Sequence, residues 1–132
     1  MAASARDLVS RGRGAAIGAT AGAIEDIRGE HVEAAARSGD VDALGIIDDF
    51  CRWVAVGLAN LANVLDPELF VIGGGLASTG DTFIAPIREW FGRMLYSPTL
   101  RPHPAIEMAH HRDLAGAIGA AYLPVVESDA GH

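Results

Sequence analysis

"LFVIGGGLASTG", residues 69–80, sets a short, wholly apolar run against three consecutive glycines and then small hydroxylated residues. Four apolar residues with β-branched members read as a strand buried on both faces. Asp66 and Pro67, just ahead of the strand, stop the preceding helix because a residue before proline is pushed out of the α region. Beyond the glycines, Phe83, Ile84, Ile87, Trp90, Phe91, Met94 and Leu95 recur at helical spacing. Pro86 is tolerable there if it falls in the opening turn. A proline-punctuated loop, SPTLRPHP (97–104), leads to a second predicted strand, AIEMAHH (105–111), and DLAGAIGAAYL (113–123) closes the order as a small-residue helix. Helix, strand, helix, strand, helix predicts an α/β layer with a mainly parallel strand pair.

In such a layer ligands sit at the carboxyl ends of strands, which is where Gly73, Gly74 and Gly75 fall. Glycine admits amide groups close to a phosphate with no Cβ in the way, and a following helix start adds positive potential. Taken alone, the triplet is equally compatible with a sharp turn. Gly73, Gly75 and Ser78 also fit the G-x-G-x-x-[GA] dinucleotide fingerprint loosely. That fingerprint needs an acidic residue about 20 positions on to hold a ribose. Residues 93–98 read RMLYSP and offer none, and Glu107 falls inside the second strand rather than at its end.

Upstream of the strand lies the strongest periodicity of the chain. Leu44, Ile47, Cys51, Val54, Leu58, Leu61 and Leu65 alternate at spacings of three and four, which predicts one helical stripe facing the core. Ala55, Gly57, Ala59 and Ala62 fall between them and leave room for another backbone to approach closely. Asp40 is placed to cap this helix, and Gly39 to end the one before it, EHVEAAAR (30–37). Earlier still, Ala3 to Ser10 predict a short helix stopped by Gly12 and Gly14, and residues 15–29, rich in Ala and Gly, predict a loop or poorly fixed helix. ESDAGH (127–132) reads as a frayed tail.

Composition narrows the classes of function. A chain of 132 residues, half of them hydrophobic, can bury one core, so a single domain is expected. Its net charge of −7 argues against nucleic acid or an anionic membrane as partner. There is no lysine, which excludes a P-loop. Cys51 has no second cysteine to pair with and reads as a buried structural thiol. The most apolar run, Trp53 to Leu65, is interrupted by Asn60 and Asn63 and is too short to span a bilayer. The start, MAASARDLVSRGR, has no apolar signal core, so a cytoplasmic, reducing setting is expected.

ANLANVLDPELFVIGGGLASTGDTFIAPIRE (59–89) resembles the carboxyl-terminal signature of ROK-family sugar kinases, where an Asn-Leu-x-Asn helix passes through Leu-Asp-Pro into a strand and a glycine triplet. The similarity is best over residues 28–124. GEHVEAAARSGD (29–40) resembles the helix ahead of the long one, and AGAIGAAYL (115–123) the closing helix. Glucokinases of this family from high-GC bacteria are the nearest likeness. Leu114 departs from it, standing where family members often carry a polar residue.

The resemblance implies the carboxyl-terminal, nucleotide-side lobe of an actin/hexokinase-like ATPase fold, with helices packed on a small mixed sheet. It implies that Gly73, Gly74 and Gly75 contact adenosine and the α-phosphate of ATP, or take part in polyphosphate use. Glucose is the implied substrate, magnesium travels with the nucleotide, and a homo-oligomer is the implied assembly. Asn60, Asn63 and Asp66 match the signature and are expected to tie the helix end to the strand. The family's Asp-x-Gly-Gly-Thr segment, its catalytic aspartate, its Glu-x-Gly-His motif and its Gly-Cys-Leu-Glu zinc loop do not occur here. The chain is therefore expected to be part of a kinase without its amino-terminal lobe, with no catalytic residue and no zinc site of its own. A sugar-sensing body of a ROK-family transcriptional repressor is the alternative expectation.

The remaining acidic and imidazole groups do not replace what is missing. Asp48 and Asp49 lie opposite the apolar stripe and are expected to be solvated, and Asp81 to cap the helix after the glycines. His110 and His111, adjacent on a strand, would point to opposite faces. His31, His103 and His132 are scattered along the chain. Finally, a mean hydropathy of +0.24 is high for a small soluble domain and predicts apolar surface that a missing lobe or second subunit would cover.

Overall fold

A computed structural model describes residues 1–74, 81–95, 102–110 and 116–117, and of Asp81 the backbone alone. Its elements run α1 (Ala2–Ser10), α2 (Ala15–Ala21), a 3₁₀ turn (Ile24–Asp26), α3 (Gly29–Arg37), α4 (Val41–Leu65), β1 (Leu69–Ile72), α5 (Asp81–Met94) and β2 (Ala105–Met108). They form two compact units, Met1–Val54 and Ala55–His132.

In the first unit the chain closes its own ends. After α3 the Gly39 amide donates to the Ala36 carbonyl at 2.9 Å and the Asp40 amide to the Ala35 carbonyl at 3.1 Å. This is a Schellman closure, and it holds Gly39 at φ +85°, a conformation that favours glycine. Asp40 then accepts from the Ala43 amide at 2.8 Å and starts α4, as its position predicts. Arg6 donates to the Ile27 carbonyl at 3.1 and 3.3 Å, tying α1 to the turn before α3.

Where composition predicts a loop or poorly fixed helix over residues 15–29, the structure forms α2 and the 3₁₀ turn. Burial overrides the weak propensity: Ile17 and Ile27 are fully buried, and α2 packs on α1 and α3. The entry to α2 is fixed by Asp42, which accepts from the Gly14 amide at 3.0 Å and pairs with Arg13.

The structure buries Ile47 and Cys51 of the predicted α4 stripe and corrects it at Leu44, Leu61 and Leu65. Leu44, Leu61 and Leu65 stand 47, 47 and 66 % exposed, whereas Ala43, Ile46, Ile47, Cys51, Ala55, Ala59 and Ala62 are buried. The buried seam is turned toward the alanines because small side chains admit closer neighbours, which leaves the larger leucines outside it. Gly57 is exposed, and among the described residues a Cβ there would meet nothing within 4 Å.

In the second unit β1 and β2 pair in parallel, Leu69 opposite Ala105 and Ile72 opposite Met108. Phe83, Ile84, Ile87, Phe91 and Leu95 of the α5 segment are buried, as the spacing predicts, and so is Ile106. Phe70 meets Phe91 edge to face with ring centroids 6.0 Å apart, so one face of the sheet rests on α5. Pro86 lies in the second turn of α5 rather than the first, where its missing N–H removes the bond to the Thr82 carbonyl. β1 is not buried on both faces: Leu69 and Val71 remain exposed, because only the α5 side is covered by described residues. β2 ends at Met108, short of the predicted strand. The closing helix and the tail lie outside the described residues, apart from Gly116 and Ala117, which are helical. Among the described residues no helix is long and apolar enough to cross a membrane.

Candidate functional site

The path to the glycines begins at the end of α4. Asp66 adopts φ +45°, which a short polar side chain tolerates better than most, and its amide still donates to the Ala62 carbonyl at 3.0 Å. Pro67 prevents the helix from continuing, and the chain extends into β1. Asn60, Asn63 and Asp66 all stand exposed around this exit.

At the carboxyl end of β1 the chain turns through Gly73 and Gly74, both exposed. Gly74 has φ +74°, and a Cβ built on it would meet nothing within 4 Å. Backbone conformation therefore calls for glycine there, while crowding by neighbours does not. Among the described residues, none crowds that position. The Ala109 amide donates to the Ile72 carbonyl at 2.8 Å, bringing the carboxyl ends of both strands together with His110 just beyond. Gly75 and Ser78 lie outside the described residues, as does the side chain of Asp81 with its expected capping role.

Two clefts lined by described residues of this unit lie elsewhere. One of about 390 Å³ is lined by Arg88, Phe91, His103 and residues 104–107, and another of about 340 Å³ by Asp66, Glu68, Pro102 and His103. They flank β2 and the amino-terminal ends of the strands, away from the glycine turn. Glu107 is engaged with Arg88 at 3.5 Å. The Arg88 guanidinium also donates to the Ile106 carbonyl, with Nε at 2.9 Å. No spacing in the sequence foretells that contact, which arises only once α5 lies along β2.

Among the described residues the other singled-out groups are not brought together. Asp48 and Asp49 are exposed on α4. His31 Nδ1 accepts from the Arg28 amide at 3.0 Å and so helps start α3. His103 and His110 bracket β2 at opposite ends, and His111 and His132 lie outside the described residues. Among the described residues no three His, Cys, Asp or Glu side chains gather as metal ligands. Cys51 is buried, and burial, aided by the Asp48 charge, pushes its thiol up to about 11. It is therefore neutral at physiological pH and a poor nucleophile.

What the arrangement offers chemically is a glycine bend at the end of a parallel strand, with no acid–base pair beside it among the described residues. A sequence profile of the ROK family matches residues 4–126. The chain is 38 % identical over 102 residues to a glucokinase of Streptomyces coelicolor, covering 77 % of this chain and 32 % of that protein. It is 41 % identical over 85 residues to an N-acetyl-D-glucosamine kinase of Erwinia tasmaniensis, covering 64 % and 27 %. Its fold matches the crystal structure of a glucokinase from Streptomyces griseus, in complex with glucose and AMPPNP, at TM-score 0.81 and 35 % identity over 92 % of this chain and 39 % of that one. The chain thus spans about a third of the length of the curated relatives it matches.

Proposed function

The chain belongs to the ROK family, and on that premise we propose that it is the nucleotide-side part of a sugar kinase, in which Gly73, Gly74 and Gly75 hold the adenosine and α-phosphate of ATP. One observation carries the reading: a glycine turn at the carboxyl end of a parallel strand, in a chain whose fold matches a glucokinase that binds AMPPNP and glucose. No described residue crowds Gly74, which fits a ligand that needs close backbone approach. Bound ATP would supply the phosphoryl group and its leaving group. This chain's share is positioning: main-chain amides at the turn donate to phosphate oxygens, and the sheet and α5 keep the turn fixed.

Phosphoryl transfer also needs a carboxylate near the acceptor hydroxyl and a metal on the phosphates. We assign neither to the described residues. Magnesium commonly rides on substrate phosphates with one or two carboxylates, so we place it with the nucleotide and with polypeptide beyond this chain. Glucose is favoured as acceptor because a glucokinase of S. coelicolor matches 77 % of the chain, against 64 % for the N-acetyl-D-glucosamine kinase of E. tasmaniensis in the same kind of alignment, and because the matched structure from S. griseus holds glucose. Polyphosphate in place of ATP would use the same amides. A cytoplasmic setting and a homo-oligomer belong to this reading. Val64 and Leu65 stand 81 and 66 % exposed on α4, an apolar face suited to a second copy.

The reading predicts that the isolated chain phosphorylates no glucose in a coupled assay with ATP and magnesium. Turnover in the ordinary enzymatic range, about 1–1000 per second, would place the catalytic groups in this chain and overturn it.

A further inference from the structure

Helix α5 meets the sheet through two kinds of contact. Its buried residues Phe83, Ile84, Ile87 and Phe91, with Phe91 edge to face on Phe70, supply apolar packing. Such packing is strong but non-directional, so by itself it lets a helix slide along a sheet. The second contact has a direction. In a parallel ladder, alternate residues of a strand bond the same neighbour. The Ala105 and Ala109 amides donate to the Glu68 and Ile72 carbonyls at 2.9 and 2.8 Å, so the Ile106 carbonyl, between them, points away from β1. The Arg88 guanidinium meets that carbonyl with two N–H groups, Nε at 2.9 Å and Nη2 beside it.

The carbonyl, rather than Glu107, is the partner that matters. Arg88 and Glu107 stand 3.5 Å apart with side chains 48 and 61 % exposed, and a pair so open to water contributes little. A guanidinium fork on one carbonyl is charge-assisted and keeps its geometry, which a flexible ammonium does not. Arg88 lies two turns into α5 from Asp81, about 10 Å along the axis at about 1.5 Å per residue. Its carbonyl partner belongs to the strand whose end meets β1 directly ahead of Gly73, through the Ala109 amide on the Ile72 carbonyl. The clamp thus joins the helix that follows the glycine turn to the strand beside it. Residues 75–80 run from Gly74 into α5, so the place where α5 starts limits where the turn can lie.

We propose that Arg88 is a positioning residue of the nucleotide turn: by clamping α5 to the Ile106 carbonyl it sets where α5 begins, and hence how the Gly73 and Gly74 amides meet a phosphate. The inference rests on the nucleotide reading and adds to it a residue that stands away from the turn, on the wall of the 390 Å³ cleft. A phosphate site made of main-chain amides has no side chains to adjust, so its donors must be held from outside to within about 0.5 Å. Arg88 is half exposed, so its truncation opens no core cavity and alters placement rather than packing.

The test compares the isotope-labelled full chain with Arg88→Met and Arg88→Lys by NMR, first without nucleotide and then in titration with AMPPNP and magnesium. Arg88→Met should displace the Gly73 and Gly74 amide resonances in the free chain and weaken AMPPNP about fivefold to tenfold, while the Ala105 and Ala109 amides stay protected from exchange. Arg88→Lys, which keeps the charge and one donor, should recover most of both effects. Arg93→Met is the control: Arg93 pairs with Glu89 and lies over Trp90 on α5 itself, so its loss should move neither. A role confined to stability would lower the unfolding midpoint and leave the glycine resonances and the affinity of the folded variant unchanged. If Arg88→Met loses protection at Ala105 and Ala109, Arg88→Gln replaces it. The proposal is overturned by unmoved Gly73 and Gly74 resonances in a folded variant, by Arg88→Lys behaving as Arg88→Met does, or by an equal effect of Arg93→Met. Absence of saturable shifts in the unaltered chain would instead sink the nucleotide reading, and the nucleotide-free resonances would still decide whether Arg88 places the turn.

Discussion

The amino-terminal unit and the carboxyl-terminal unit satisfy their backbones by different means. In Met1–Val54 the ends of the helices are closed by nearby or neighbouring groups: Gly39 and Asp40 between α3 and α4, His31 at the start of α3, Asp42 on the Gly14 amide. In Ala55–His132 the sheet is held from one side by α5 and along one edge by Arg88, while the opposite face and edge of β1 are uncovered by described residues. Short-range capping lets a small unit close on itself. A sheet needs strands from distant sequence, so its cover cannot come from the turn-length contacts that close the helix ends of the other unit.

The largest effect is expected in the carboxyl-terminal core. Phe83 is fully buried, and Phe83→Ala should cost about 3–5 kcal/mol in urea unfolding followed by a probe in Ala55–His132. A cost below about 1 kcal/mol would mean that α5 is not the element holding the sheet. In the other unit, Asp40→Ala should cost about 0.5–2 kcal/mol, read as earlier loss of helix in Met1–Val54 and no change in amide protection at β1. Equal loosening of both units would erase the contrast.

The smallest effect is expected in the pH dependence. The Asp42 carboxyl is held below its ordinary value by the Gly14 amide first and by Arg13 as well. A carboxyl depressed on folding adds stability above its unfolded value, near 3.8, and loses it as pH falls through the lower folded value. Asp42→Asn should therefore flatten the acid limb of stability below about pH 4 while leaving the slope near neutrality unchanged. An unaltered acid limb would remove the Gly14–Asp42 contact from the account of how α2 is entered.

Much of this fold was legible because its signals are local. Gly39, Asp40, Asp66–Pro67 and the apolar spacing of α5 each act within a turn or two of their own position. The strand LFVI and the glycine position after it were readable for the same reason. Three features were not. α2 forms because Ile17 finds a buried place and Asp42, 28 residues away, receives the Gly14 amide, and neither is visible in the composition of residues 15–29. The α4 stripe misled because periodicity marks the apolar side of a helix but not which part of it meets a neighbour, and alanines permit the closest packing. Double burial of β1 is what an all-apolar run suggests, and among the described residues only the α5 face is covered. For the site, sequence placed the glycines and the φ of Gly74 gave a physical reason for one of them, whereas Arg88 on the β2 edge needed the fold.

The central claim is that the turn after β1 presents main-chain amides to a nucleotide. Titration of the isotope-labelled chain with AMPPNP and magnesium, following amide resonances by NMR, tests it most directly. The account predicts saturable shifts concentrated at Gly73 and Gly74, abolished by Gly74→Val. Unmoved glycine resonances at millimolar nucleotide, or shifts that persist in the variant, would contradict it.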